Sequence, residues 1–190
     1  GITATMTLIL VIAGFLLSSV AGYMAGLVGS SNNPISGVTI ATILSAALLL
    51  ALLMGTGEPG RGAAGAILIG AVVCCAAAIA GDNMQDLKAG HILGATPYKQ
   101  QIMQVVGVIA GALVIAPVLS YLLEAYGMGA VTEAKPNPLA APQAALMQSV
   151  AAGIFGGNLP WDMVSIGAII GIIIIVIDQY LASKKASFRM

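Results

Sequence analysis

Residues 81–91, GDNMQDLKAGH, concentrate the reactive side chains of a chain that has few of them. Asp82 and Asp86 stand four apart, with Gln85 between them; Lys88 follows, and the single histidine, His91, closes the run. If the stretch is helical, that spacing puts both carboxylates on one face with Gln85 beside them. An ionised aspartate at the centre of a bilayer is unfavourable by about 2.5–3.5 kcal/mol, and a second one adds repulsion. The stretch therefore lies in water or lines a polar cavity. Two readings are open. In one it is a short surface loop with a helix-capping aspartate. In the other the carboxylate pair faces a path, where it carries a proton or holds a cationic ligand group. Lys88 is the cation available to either acid, and His91 is of the type that relays protons near neutrality, unless it is only a loop residue.

Two further stretches are polar without charge. SSNNPISG, residues 30–37, suits a helix break followed by a new helix start. In transporters such breaks aim backbone groups at a substrate near the midplane, and an ordinary interhelical turn uses the same letters. Asn32, Asn33 and Ser36 are its candidate residues. We expect residues 30–37 to be non-helical, with Asn32 or Asn33 turned toward other helices, because lipid cannot satisfy loosened backbone groups. The third stretch is LAAPQAALMQ followed by GGNLPWD. Pro142 suits a helix start, Trp161 an interfacial anchor and Asp162 an acid at a helix N-terminus. Asp178 is structural. The sequence holds no nucleophile–base pair, P-loop or metal-ligand spacing, so we expect neither an enzyme nor a metal or cofactor site. Cys74 and Cys75 are adjacent and read as buried thiols behaving as small apolar groups.

The elements that must position these residues follow from composition. Of 190 residues, 59% are hydrophobic and 7% charged, against about 25% charged in soluble domains. So few charges cannot build a surface facing water. Net charge is zero, which gives no electrostatic case for nucleic acid. Abundant Gly and Ala suit helices packed closely in lipid. The expectation is an all-α membrane protein, a polytopic transmembrane helix bundle of five to six spans in a single domain, residues 1–190, with broken or re-entrant segments. Apolar runs cover about residues 2–28, 38–55, 63–80, 99–126 and 163–181, with Pro117 as a kink in the fourth. Residues 139–156 are marginal, either a span or a re-entrant segment. The pairs Gly22/Gly26, Gly107/Gly111 and Gly167/Gly171 are spaced as GxxxG, and we expect Gly107 and Gly111 to lie under a neighbouring helix.

Orientation stays open. With Lys184, Lys185 and Arg189 placed in the cytoplasm, either treatment of the marginal segment puts five of the seven Lys and Arg residues inside.

Taken together, GLVGSSNNPISG, AGDNMQDLKAGHILGATPYKQQ and LAAPQAALMQSVAAGIFGGNLPW resemble the oligopeptide transporter superfamily, in its bacterial branch, with the yellow stripe-like carriers of metal chelates as relatives. The middle stretch is the most specific, since Gly-Asp, Met-Gln-Asp and Lys-x-Gly occur in one unbroken run. The resemblance implies a multi-pass secondary transporter of the bacterial inner membrane, moving peptides or metal–chelate complexes in symport with a cation, commonly the proton. Members are much longer than this chain, so the remaining portion of the transporter is an expected partner beside the substrate and the lipid bilayer. On this reading Asp82, Gln85, Asp86 and Lys88 form the polar element of the substrate or ion path, with Asn32, Asn33 and Ser36 as the second candidate. The alternatives are a chelate carrier of the same superfamily, or a passive channel showing only dissipative flux.

Overall fold

The computed structural model describes residues 2–55, 57, 59–129, 131 and 133–183. Six α-helices follow one another there: α1 (Ile2–Val28), α2 (Ile35–Met54), α3 (Pro59–Leu93), α4 (Pro97–Tyr126), α5 (Pro142–Gly156) and α6 (Trp161–Ser183). A single 3-10 turn, Ser30–Asn32, separates α1 from α2. Five helices, all but α5, are long and apolar enough to cross a membrane. The chain divides into two compact units, Gly1–Gly156 and Gly157–Met190, and α6 is the helix of the second. Lys184, Lys185 and Arg189 lie outside the described residues.

The first unit is organised around α3. Met6, Gly14 and Gly22 of α1 meet Gly65, Val73 and Ala80 in turn, so α1 runs parallel to α3. Leu50, Ile43 and Asn33 meet Gly65, Gly70 and Gly81, so α2 and the turn before it run antiparallel to α3. Small residues make this approach possible. Gly62, Gly65, Ala66, Gly70, Ala77 and Gly81 are all buried along α3, and Ile43, Leu50, Ile69 and Val73 fill the space between. Phe155 near the end of α5 packs where a side chain on Gly62 would stand. Thr39 and Thr42 are buried polar residues of α2, and each hydroxyl donates to the carbonyl four residues back, at 2.8 and 2.7 Å. The outward faces are apolar, with Phe15, Leu52 and Leu68 exposed, as lipid contact requires.

Several expectations are corrected. The third apolar run does not end at Ala80: α3 continues through residues 81–91 to Leu93, 35 residues and about 52 Å in all, which removes the surface-loop reading. Nothing in DNMQDLKA breaks a helix, and Met, Gln, Leu, Lys and Ala favour one. The break before α2 is shorter than residues 30–37, because α2 starts at Ile35, directly after Pro34. Gly107 and Gly111 have no neighbour within 4 Å of where a Cβ would stand, and no residue of α4 is buried. Of the first glycine pair only Gly22 is packed, against Ala80 and Met84. Cys74 is half-buried and Cys75 exposed, and both are free thiols. α4 runs through Pro117 as one helix, and its last carbonyls, those of Leu123 (2.6 Å) and Glu124, accept from Lys135 Nζ.

Candidate functional site

The end of α3 is held from two sides. On one side α3 and α4 form a helical hairpin. Gly94 turns the chain at a φ of 74°, Thr96 is extended, and Pro97 opens α4. On the other side stands the end of α1 with the turn Ser30–Asn32. Asn83, Gln85 and Asp86 therefore face neighbouring elements and not only solvent.

Between α3 and α4 the contact is made by amides. Gln104 Nε2 donates to Asp86 Oδ2 at 3.0 Å, and Gln100 Nε2 donates to the Asp86 carbonyl at 3.1 Å. Gln100 can reach that carbonyl because residue 90 is glycine: a Cβ there would overlap the Gln100 amide. Beside these groups opens a cavity of about 500 Å³, lined by Asp86, Gln100, Gln104, Leu93 and Met103 among others. Asn83, one turn before Asp86 and facing the same helix, has a buried Oδ1 with no hydrogen-bond partner.

Between α3 and the turn the contacts are different. Ser30 Oγ donates to Gln85 Oε1. The Asn33 side chain lies over Gly81, with its Nδ2 2.6 Å from where a Cβ would stand. Both polar atoms of the Asn33 amide are buried without a partner. Ser30, Gln85 and Lys88 line a second cavity of about 570 Å³, together with Met84 and Ile92.

Of the residues singled out from sequence, Gln85 and Lys88 line one cavity and Asp86 the other, on opposite sides of α3, all three exposed, while Asn33 lies over Gly81 three turns before the helix end. Asp82 shares the face of Asp86 one turn earlier and is exposed. Asn32 is exposed, its Nδ2 donating to the Val28 carbonyl at 3.3 Å, and Ser36 is exposed in the first turn of α2. His91 is exposed in the last turn of α3. Pairing of Lys88 with the acids is corrected by helix geometry. At about 100° per residue Lys88 points roughly 160° away from Asp86 and roughly 120° from Asp82, and it lines the cavity on the other side of α3. The residues missed were Gln100, Gln104 and Ser30. Gln100, Gln101 and Gln104 are the uncharged polar residues in the opening turns of an otherwise apolar helix, and that was the available signal. Among the described residues no group of three His, Cys, Asp or Glu side chains could hold a metal ion.

Comparison with known proteins agrees with a helical membrane protein. The chain is 40% identical over 195 residues to a Haemophilus influenzae protein named "Putative oligopeptide transporter". The match covers 97% of this chain and 30% of the relative, so the chain spans about a third of that relative's length. No solved structure matches. The family model described as OPT oligopeptide transporter protein matches residues 1–189, and the chain belongs to that family.

Proposed function

We propose that the whole protein is a secondary active transporter that moves oligopeptides across a bacterial inner membrane in symport with a cation, the proton foremost, and that residues 1–190 form one transmembrane portion of it. Family membership and the relative's name support the peptide reading. The observation that carries the site is the polar end of α3, hydrogen-bonded to α4 through Asp86 and to the turn through Gln85. Asp82, Gln85, Asp86 and Lys88 supply the polar element of the path, and Asn32, Asn33 and Ser36 line its approach at the turn. A carboxylate beside apolar helices requires water, a partner or a ligand, and Asp86 has an amide on one oxygen and a cavity beside it.

The test is uptake by the full-length protein in proteoliposomes with an imposed proton gradient. A carrier accumulates peptide above the external concentration and stops when the gradient is collapsed. Asp82→Asn and Asp86→Asn keep shape and remove charge, and at least one of them should lower gradient-driven uptake tenfold or more at equal membrane abundance. Flux that only equilibrates the two sides indicates a channel, and accumulation of a metal chelate in place of peptide overturns the substrate class. Uptake and pH dependence unchanged in both variants remove the pair from the path.

A further inference from the structure

We propose that the turn joining α1 to α2, residues 29–34, is a gate. It exchanges between a seated arrangement, with the Asn33 amide closed over Gly81 of α3, and a lifted one that frees the amide. The inference deepens the transport reading by naming a moving part, and it rests on that reading for what the motion serves.

The side chain of Asn33 is the observation that points to motion. Its Oδ1 and Nδ2 are both buried, and neither has a hydrogen-bond partner. Burial of a polar group without a partner is unfavourable, and here both ends of one amide are left so. The seat is made of small apolar groups. Nδ2 stands 2.6 Å from where a Cβ on Gly81 would be, and Ala25 Cβ stands 3.5 Å from the same point. No further helix of the transporter can satisfy the amide while the turn is seated, because both atoms are closed off.

Local structure does not ask for asparagine here. The backbone of residue 33 is extended, with φ −66° and ψ 124°, as the residue before a proline favours and any side chain permits. Its main-chain N–H donates to the Ser30 carbonyl at 3.2 Å, and its carbonyl accepts from Ile35 at 2.8 Å. Asn32, by contrast, uses its amide locally, on the Val28 carbonyl. A leucine at position 33 has nearly the same shape and would fill the seat with no polar penalty. The amide is therefore suited to an arrangement other than the seated one.

The turn is built to lift. Gly29 opens it at a φ of 85° with open space where a side chain would stand, and Pro34 closes it. Among the described residues one side-chain hydrogen bond ties it to α3, from Ser30 Oγ to Gln85 Oε1, and that bond is exposed, so water competes for both groups. Beside it lies the cavity of about 570 Å³, walled by Gly26, Gly29 and Ser30 on one side and by Gln85 and Lys88 of α3 on the other. Lifting the turn opens that wall and exposes the amide.

The experiment uses the full-length protein with its native cysteines replaced. Spin labels at Ser31 on the turn and Leu68 on α3, both exposed, report the distance between the two elements. The expected wild-type result is two distances. Asn33→Leu should deplete one of them about tenfold or more, raise thermal stability and slow peptide uptake by a similar factor. A residue that only supports the fold moves stability and uptake in the same direction. Ser30→Cys combined with Gln85→Cys is the second variant. Oxidised, it should hold the distance that Asn33→Leu retains and stop uptake, and reduction should restore both. A single distance in the wild type, unchanged populations or lost stability in Asn33→Leu, or full uptake by the cross-linked protein overturns the gate. If the wild-type protein accumulates no peptide, the transport reading fails, and the label distances still decide whether the turn moves.

Discussion

The contact between Gly70 and Ile43 permits a quantitative test of the packing. Replacing glycine by alanine inside a helix ordinarily stabilises it by about 1 kcal/mol. At Gly70 the added methyl overlaps Ile43 Cγ1 and lies 2.9 Å from Cδ1. Ile43 is 1% exposed, so its side chain has no free space to enter. Overpacking of this kind costs about 1–3 kcal/mol, which leaves Gly70→Ala destabilised by up to about 2 kcal/mol. Ile43→Ala alone opens a void. Its cost falls near the lower end of the usual range, about 2 kcal/mol, because an isoleucine leaving this core for lipid passes between two apolar media and only packing is lost. In the double variant the nearest remaining Ile43 atom is Cβ, at 3.7 Å from the new methyl, an ordinary contact. The new methyl also fills part of the void. The double variant should therefore be more stable than the sum of the single effects by at least about 1 kcal/mol. The assay is SDS-driven unfolding of the full-length protein in mixed micelles, read by a fluorophore pair at the exposed positions Leu52 and Leu68, one on each helix. Additivity within about 0.5 kcal/mol would refute the proposed interlock of α2 and α3.

Other perturbations separate packed positions from open ones. Gly81→Ala should displace Asn33 and alter the turn before α2, seen as a loss of stability of about 1–3 kcal/mol in the same unfolding assay; Gly81→Ala combined with Asn33→Gly should recover most of it. In the 190-residue chain Gly107→Ala and Gly111→Ala should be neutral or stabilising by up to about 1 kcal/mol each, measured by helicity and unfolding in micelles, since nothing stands in the way of the methyl groups.

Hydropathy made most of the helices legible. The first apolar run and α1 share their limits, and the runs under α2, α4 and α6 were placed within a few residues. Hydropathy reports the medium around a helix, not where the helix stops. That is why α3 looked thirteen residues shorter at its C-terminal end than it is: Asp82, Gln85, Asp86 and Lys88 change its polarity without changing its backbone. The GxxxG pairs misled for a related reason. The packed seam runs Gly62, Ala66, Gly70, and alanine serves there as well as glycine, so a search for glycine alone passes over it. Asp86 was visible as a rare charge, whereas the glutamines that hold it come from a different helix. Only the hairpin brings Gln100 and Gln104 to it, through a glycine whose importance is that it has no side chain.

The unbroken length of α3 has a mechanical meaning. Gly62, where Phe155 of α5 bears on it, and Asp86 belong to one stiff rod, and the two points are about 36 Å apart along its axis. A rocking of about 5° at the Gly62 end would sweep the carboxylate through roughly 3 Å, the length of one hydrogen bond. A small pivot at one face of the molecule is thus enough to make or break the bond from Gln104 at the other, with no local unfolding in between.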